Sequence, residues 1–250
     1  MRWLVTAGNT IAFIDSVRCI TNVFSGRTGS AIAVQAASRG HSVVLLTSHP
    51  DVARTLGGGP QTEAFPLQIE RFRTFDDLAG LLQRHLLRRE YHAVVHCAAV
   101  GDYECTGVFA PAPGTSFDVQ TLKWRCESPS SPALLDRRAG KVKSDEPELW
   151  LRLVQTTKLV DQIRTPWEFR GVLVKFKLEV GLSDDRLVEI AEASRIRSEA
   201  DLMVANTLEG MEASAFIGPL DGVYRRVDRS ALAPRLVDEV EGLAAQKPNT

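Results

Sequence analysis

Two glycines stand three residues apart in a short polar segment near the N-terminus. The segment runs from Ser25 through Gly26, Arg27 and Thr28 to Gly29, and a helix-favouring run follows it. Glycines at a helix start let backbone N–H groups close around an anion, and the helix dipole favours negative charge there. Arg27 offers a cation for the same anion. Taken alone, the segment fits phosphate binding and a tight turn for close helix packing equally well.

Two polar features precede this segment. Arg18 and Asn22 place a cation and an amide within four residues of each other, although an asparagine in a loop is more often a turn or cap residue. Upstream, a strand-like run ends in Thr6 to Thr10, at the edge of a parallel sheet where ligands usually bind. A G-x-G-x-x-G fingerprint joining strand directly to helix is absent, because about twenty residues intervene. The sequence therefore does not predict a simple dinucleotide-binding turn.

The elements that must position these residues alternate along the chain. Apolar runs bounded by Gly, Pro or Asn are separated by helical stretches, which predicts an α/β fold: a three-layer, Rossmann-like, mostly parallel sheet with helices on both faces. The predicted strands cover residues 2–7, 42–47, 93–98, 171–176 and 202–205. The predicted helices cover 29–39, 75–90 and 184–197, with Thr74 and Asp77 as a capping box and Ser183 as an N-cap.

The C-terminal part of the chain has a different pattern. Residues 213–218 and 222–227 predict an antiparallel hairpin around Pro219, followed by a last amphipathic helix, as at a sheet edge. Between about 107 and 144 the sequence loses periodicity and gains Pro and Ser, which predicts a long loop or flap. We expect a single domain over residues 1–250, since 250 residues with 44% hydrophobic side chains can bury one substantial core.

Composition excludes several classes of function. Thirty basic and thirty-one acidic side chains nearly cancel, so nothing indicates a nucleic-acid partner or an anionic membrane surface. No apolar run approaches the roughly 20 residues that span a bilayer, and we expect a soluble, unexported, cytoplasmic protein. The four cysteines lack Cys-x-x-Cys spacing, and the five histidines form no metal-ligand pair such as i, i+4 on one helix, which disfavours structural zinc and a disulfide framework.

Five colinear motifs carry a specific resemblance, to the family of phosphopantothenate–cysteine ligases, also called phosphopantothenoylcysteine synthetases. The forms Phe-Lys-Leu-Glu and Val-Ala-Asn-x-Leu-Glu resemble the stand-alone eukaryotic members, without the flavin decarboxylase domain, more than the fused bacterial ligase. The motifs lie at residues 5–29, 96–103, 140–144, 174–179 and 200–209.

The resemblance implies a two-step ligation in coenzyme A biosynthesis. The carboxylate of 4′-phosphopantothenate attacks the α-phosphate of CTP or ATP, pyrophosphate leaves, and the amine of L-cysteine displaces the nucleotide from the acyl phosphate. Oriented N–H donors, a cation and Mg²⁺ suit the highly charged phosphoryl transition state. The family works as a dimer, so the resemblance implies a homodimer. The interface would lie near Ala98, Ala99 and the hairpin at Pro219.

The resemblance also implies a role for particular residues. Asn22 matches the asparagine that holds the substrate carboxylate and the acyl-nucleotide, and Lys141 matches a lysine of a loop that closes over the nucleotide. Arg18 matches a residue beside the pantothenate substrate. The remaining implied contacts are Ala98 and Ala99 to substrate, and Gly8, Ser25, Gly26, Arg27, Gly29, Asp102, Phe176 and Lys177 to nucleotide, with Asp102 also as the candidate Mg²⁺ ligand.

Departures from the family pattern keep two alternatives open. Phe24 replaces a serine of the glycine-rich loop, and Ser194 and Ser198 replace two lysines of bacterial members, for which Lys175 and Lys177 are candidate substitutes. A degenerate, non-catalytic nucleotide-binding homologue would explain these changes. A short-chain dehydrogenase is the other alternative, but no Tyr-x-x-x-Lys pair exists at any of the three tyrosines.

Overall fold

The computed structural model describes residues 1–57, 66–127 and 131–247. These residues form two compact units. The large unit comprises Met1–Thr10, Val23–Val100 and Lys158–Thr250, and the small unit comprises Ile11–Asn22 and Gly101–Thr157. Two units of this size can belong to one folding domain, so the prediction of a single domain stays a prediction. No helix within the described ranges is long and apolar enough to cross a membrane.

Within the described residues, strands outnumber helices. The strands are β1 (Arg2–Ala7), β2 (Ile11–Phe13), β3 (Cys19–Thr21), β4 (Ser42–Thr47), β5 (Leu67–Arg71), β6 (Ala93–His96), β7 (Tyr103–Pro111), β8 (Thr115–Asp118), β9 (Lys123–Cys126), β10 (Leu134–Asp136), β11 (Trp150–Gln155), β12 (Val172–Glu179), β13 (Leu202–Thr207), β14 (Ser214–Leu220) and β15 (Val223–Asp228). The helices are α1 (Arg27–Ser38), α2 (Pro50–Leu56), α3 (Phe75–Leu86), α4 (Leu159–Arg164), α5 (Asp184–Arg197) and α6 (Leu232–Gln246).

The large unit contains an eight-stranded sheet whose strand order is β15-β14-β13-β12-β6-β1-β4-β5. The six strands from β13 to β5 are parallel, whereas β14 and β15 add an antiparallel hairpin at one edge. Alternate residues of each strand face opposite layers. Val5 and Leu45 pack in the cluster with α1 and α6, and Leu4 and Leu46 pack in the cluster with α3 and α4. The predicted three-layer fold with its C-terminal hairpin is confirmed.

Local signals explain where several elements begin and end. The predicted bounds of β1, β4 and α5 agree with the structure, and the Thr74 to Asp77 capping box and the Ser183 N-cap are both formed. Helix α1 begins at Arg27, two residues before the predicted start. Helix α3 ends at Leu86 rather than Glu90, because Arg89 takes a left-handed backbone conformation with φ 56° that a helix cannot continue through.

The small unit differs from the predicted loop at residues 107–144. Strand β7 pairs with β10 and β11, and β8 pairs with β9 in a separate hairpin. Phe117, Trp124 and Trp150 pack together with ring centroids 4.7 to 5.3 Å apart, which stabilises that hairpin. The Pro and Ser residues between these short strands obscured the alternation that predicts them. Residues 128–130 of the predicted loop lie outside the described residues.

Candidate functional site

The parallel sheet reverses its strand order beside β1, since β4 and β5 lie on one side of it and β6, β12 and β13 on the other. In such sheets ligands bind outside the carboxyl ends of the strands at this switch point. Gly8 follows β1, and Ala98 and Ala99 follow β6. The Ala99 N–H donates to the Gly8 carbonyl at 2.8 Å, and the Thr10 N–H donates to the Ala99 carbonyl at 3.2 Å. The structure thus places Gly8, a predicted nucleotide contact, beside Ala99, a predicted substrate contact.

Gly8, Gly26 and Gly29 bring the start of α1 against the end of β1. A Cβ added to Gly26 would lie 2.2 Å from the Gly8 backbone nitrogen, and Gly26 has a left-handed φ of 76°. A Cβ added to Gly29 would lie 2.8 Å from the Thr6 carbonyl oxygen. No side chain fits at these two positions, so close packing is one confirmed role of the glycines. Anion binding by the same turn stays a prediction.

The N-terminus of α1 carries no negative charge of its own. Gly26 supplies no side-chain cap, and the first turn, which lies wholly in the described range, contains no acidic residue. Arg229, which is half-buried, donates from Nη2 to the Thr28 hydroxyl. A guanidinium beside the positive end of a helix dipole favours an anion there. Arg229 was missed by sequence reasoning, because it lies 201 residues from Thr28 and belongs to no recognised motif.

The cysteine at this edge of the sheet, Cys97, has a raised thiol pKa. Burial raises the pKa of the Cys97 thiol to about 12, although the charge of Arg229 and the Gly29 N–H oppose the shift. The thiol therefore stays protonated at neutral pH, and only the thiolate is a strong nucleophile. Cys97 is therefore not a candidate nucleophile for group transfer at neutral pH.

Lys175 is a buried cation on β12, with only 7% of its surface exposed. Its Nζ donates to the Ser194 carbonyl at 3.1 Å and to the Ser198 hydroxyl at 2.5 Å, and Ser198 in turn donates to Asp161 at 2.6 Å. Burial lowers the pKa of Lys175 to about 8. The ammonium thus contacts both positions at which the sequence departs from the bacterial pattern.

The predicted nucleotide residues Phe176 and Lys177 emerge on opposite faces of β12. Phe176 packs on the core cluster beneath α1 and α6. Lys177 forms an ion pair with Glu179 at 2.7 Å and lines a cavity of about 270 Å³ on the α5 face, together with Arg186 and Arg197. The structure therefore does not bring the two side chains to one face of the sheet, and Lys177 lies in the more basic surroundings.

In the small unit, Arg18 is held by a buried carboxylate that sequence reasoning missed. Asp15 accepts the Arg18 Nε and Nη2 donors at 2.9 and 2.6 Å and the Val142 N–H at 3.0 Å, and Arg18 Nη2 also donates to the Val142 carbonyl at 2.6 Å. The Arg18 guanidinium holds the pKa of Asp15 well below its usual range. Asp15 also accepts the Val17 N–H two residues on, a turn pattern that aspartate favours. This network fixes the residue next to Lys141.

The other predicted residues are more exposed. Lys141 and Asp102 have exposed side chains, and the Asp102 carbonyl accepts the Thr156 N–H at 2.9 Å at the start of β7. Asn22 is half-buried directly after β3, while Ser25 and Arg27 are exposed before and at the start of α1. Within the part of the chain that the structure describes, no group of three or more His, Cys, Asp or Glu side chains is placed to hold a metal ion. The Mg²⁺ prediction therefore rests on the single carboxylate of Asp102.

Comparison with known proteins gives consistent matches. Residues 1–110 match the family described as the DNA/pantothenate metabolism flavoprotein C-terminal domain. The chain is 31% identical over 247 residues to the coenzyme A biosynthesis bifunctional protein CoaBC of Thermococcus kodakarensis, covering 96% of this chain and 51% of that protein. The Escherichia coli CoaBC protein is 26% identical over 203 residues, covering 81% and 40%. The chain thus spans about half the length, or less, of these curated relatives.

Solved structures match along the whole chain. The DNA/pantothenate metabolism flavoprotein of Streptococcus pneumoniae superposes with a TM-score of 0.75 at 26% identity, covering 97% of this chain and 99% of that one. The C-terminal domain of a CoaBC protein superposes with a TM-score of 0.65 at 17% identity, covering 98% and 96%, which shows a shared fold. These matches agree with the family resemblance that the five sequence motifs carry. The closer resemblance to stand-alone members stays a prediction.

Proposed function

We propose that this chain joins 4′-phosphopantothenate to L-cysteine through an acyl-nucleotide intermediate. The observation that carries the proposal is the start of α1, where glycine backbones and Arg229 lie at the switch point without a negative group in the first turn. The names of the CoaBC relatives support a step of coenzyme A biosynthesis. A Cab2 variant with the same fold, at a TM-score of 0.66 and 17% identity, was solved in complex with phosphopantothenate-cysteine.

The proposed reaction balances in two steps. First, a carboxylate oxygen of phosphopantothenate forms a bond to the α-phosphorus of CTP or ATP, and the bond to the β-phosphate oxygen breaks to release pyrophosphate. Second, the cysteine amine attacks the acyl carbon, nucleoside monophosphate leaves with the bonding electrons, and the amine loses a proton. In both steps the Asn22 amide would donate a hydrogen bond to the acyl oxygen, where negative charge develops in the second step.

Different residues would serve different anionic groups of the nucleotide and the acid substrate. The backbone N–H groups after Gly26 and the Arg229 guanidinium suit phosphate oxygens. Lys177, Arg186 and Arg197 surround the cavity beside α5, and their charges suit further anionic groups. Lys141 is exposed in the small unit, as a residue of a closing loop would be.

Asp102 would hold Mg²⁺ in this proposal. One exposed carboxylate fits this ion, because Mg²⁺ often takes one or two carboxylates and completes its shell with phosphate oxygens and water. When bound, Mg²⁺ neutralises charge on the triphosphate.

Pyrophosphate release tests the proposal. The protein is mixed with phosphopantothenate, Mg²⁺ and either CTP or ATP, and L-cysteine is then added. We expect pyrophosphate release that requires phosphopantothenate, and amide product only after cysteine is added. The faster of the two nucleotides identifies the co-substrate. Nucleotide binding without turnover for both CTP and ATP would instead support the non-catalytic homologue, which Phe24, Ser194 and Ser198 suggest.

A variant of Asn22 tests its role in the same assay. Asn22→Asp places a negative charge where the carboxylate and the developing oxyanion would lie, and we expect turnover to fall by roughly 10² or more. Thermal unfolding of the variant is the control, because the side chain is half-buried and its replacement should leave the fold stable. Turnover equal to that of the original chain would remove Asn22 from the mechanism.

We also propose that the chain forms a homodimer, as its family resemblance implies. Strand β15 lies at the sheet edge with Val223 54% exposed, so its hairpin is a surface on which a second copy can pair. Sedimentation of the chain and of Val223→Lys tests this proposal. A monomeric original chain at micromolar concentration contradicts it.

A further inference from the structure

Thr6 is a fully buried threonine near the carboxyl end of β1, in register with His96 on the neighbouring strand β6. Its hydroxyl oxygen lies 3.1 Å from three nitrogens: the backbone nitrogens of Cys97 and Ala98, and His96 Nδ1. Cys97 and Ala98 follow the last residue of β6. The Thr6 hydroxyl therefore accepts the two backbone N–H groups that a neighbouring strand would otherwise accept.

The direction of each hydrogen bond follows from the chemistry of a hydroxyl. Two backbone N–H groups donate to the Thr6 oxygen, so its own proton is donated to His96 Nδ1, which must carry no proton. Burial and the charge of Lys175 lower the pKa of His96 to about 4, which keeps the ring neutral. His96 is thus the tautomer with its proton on Nε2, and it fixes the Thr6 hydroxyl in the orientation that accepts both N–H groups.

This arrangement sets the path of the turn after β6. Ala99, the next residue, donates to the Gly8 carbonyl at 2.8 Å and accepts from Thr10 at 3.2 Å. The turn is therefore anchored at successive residues, first by the Thr6 side chain and then by the backbone after β1. A shift of this turn moves Ala98 and Ala99, which are predicted to contact the acid substrate.

We infer that Thr6 and His96 are positioning residues, which hold the Cys97–Ala99 turn in the geometry that binds the carboxylate substrate. The inference rests on the proposed function, because Ala98 and Ala99 receive their role from it. Thr6 is fully buried and His96 is 8% exposed, so we expect both to act through the turn. Loss of the Thr6 hydroxyl should change substrate affinity more than it changes the fold.

Substitutions of Thr6 test this role. Thr6→Val removes the hydroxyl at nearly constant volume, and we expect KM for phosphopantothenate to rise about tenfold with a smaller change in KM for the nucleotide. Thr6→Ser keeps the hydroxyl and should restore KM to within about twofold. Thr207→Val is the matched control, since the Thr207 hydroxyl accepts a backbone N–H from Gly210 at the end of β13, away from the switch point. Equal KM values in Thr6→Val and the original chain overturn the inference.

Measurements without substrate separate this inference from the proposed function. In the original chain, ¹⁵N shifts of the His96 ring should show a proton on Nε2 alone, and the Cys97 and Ala98 amides should exchange slowly with solvent. Both amides should exchange at least about tenfold faster in Thr6→Val. Unchanged exchange overturns the inference even in an active ligase, whereas faster exchange in a chain without ligase activity leaves only the proposed function contradicted. If Thr6→Val does not fold, His96→Leu, which leaves the Thr6 hydroxyl without its acceptor, provides the same comparison.

Discussion

The N-termini of α1 and α3 differ in how their free N–H groups and the positive end of the helix dipole are satisfied. In α3, Thr74 accepts the Asp77 N–H at 3.1 Å, and Asp77 accepts the Thr74 N–H at 2.9 Å and the Arg73 N–H at 3.0 Å. In α1, Gly26 caps no N–H with a side chain, and Arg229 adds positive charge at Thr28. A helix start that is satisfied by its own carboxylate does not need an external anion, whereas the start of α1 lacks such a carboxylate and therefore favours one.

The largest expected effect concerns the glycine at the start of α1. Gly26→Ala puts a Cβ 2.2 Å from the Gly8 backbone nitrogen and requires an alanine at a φ of 76°. Backbone cannot yield as a side-chain end can, so we expect a loss of about 3 kcal/mol in the free energy of unfolding. Urea denaturation measures it.

Gly80 within α3 is the matched control for this substitution. A Cβ added to Gly80 meets nothing within 4 Å, so Gly80→Ala should stabilise the chain by roughly 0.5 to 1 kcal/mol through helix propensity. Opposite signs for the two glycine substitutions sharpen the contrast between the helices. Two neutral results would show that the approach of α1 to β1 is not tight.

Acid should weaken the switch-point region through His96. The folded-state pKa of His96 is about 4, below its unfolded value near 6.5, so the unfolded chain binds the additional proton between these values. Stability is therefore fully present above about pH 6.5 and falls as the pH drops toward 4. Between pH 7 and pH 5 this one group should cost about 2 kcal/mol of unfolding free energy.

The variant His96→Gln isolates that contribution. The glutamine amide oxygen can still accept the Thr6 proton but does not titrate, so the pH dependence between 7 and 5 should flatten in urea denaturation. His92→Gln, which replaces an exposed histidine four residues away, is the control for the general effect of replacing a histidine by glutamine. An unchanged slope in His96→Gln would assign the acid sensitivity to another group, with His85, whose pKa is lowered mainly by burial, as the next to test.

Sequence reasoning predicted the elements better than the contacts between them. The bounds of β1, β4 and α5 follow from local signals, namely an apolar run with a polar stop, or Ser183 ahead of acidic first-turn residues. The capping box of α3 is equally local, since Thr74 and Asp77 are three residues apart. Such features depend on neighbours in the chain, and a pattern can show them.

The site depends on neighbours in space, which no local pattern contains. Thr6 meets His96 because β1 and β6 pair in one register, and the two residues are 90 apart in sequence. Arg229 directly follows β15 and contacts Thr28, which is 201 residues earlier in the chain. In the small unit, β8 and β9 are only four residues each and are half-exposed, so they lack the apolar alternation of a buried strand.

A charge reversal at α1 tests whether its start binds an anion. Arg27→Glu supplies the missing first-turn acid, so we expect nucleotide affinity to fall about tenfold while the free protein gains a few tenths of a kcal/mol. Isothermal titration with CTP and ATP measures the affinity, and urea denaturation measures the stability. Arg54→Glu on α2 makes the same change of charge at another exposed arginine and should leave nucleotide affinity unaltered. Equal losses in both variants would indicate a general effect of net charge.

The smallest expected effect is at the start of α3, where the same reasoning predicts the reverse pattern. Asp77→Ala removes a carboxylate that satisfies two N–H groups, so we expect a loss of about 1 kcal/mol in unfolding free energy at pH 7 and no change in nucleotide affinity. The pH dependence of this effect follows from the pKa of Asp77, which the Thr74 backbone N–H lowers in the folded chain. The stabilisation by Asp77 is therefore present above an unfolded-state pKa of about 3.9 and is lost as the pH falls through the folded-state value. The unfolding free energies of the original chain and of Asp77→Ala should thus converge in acid. Asp76→Ala, which removes a first-turn charge beside the box, should cost less, and an equal cost would mean that charge rather than hydrogen bonding completes this helix.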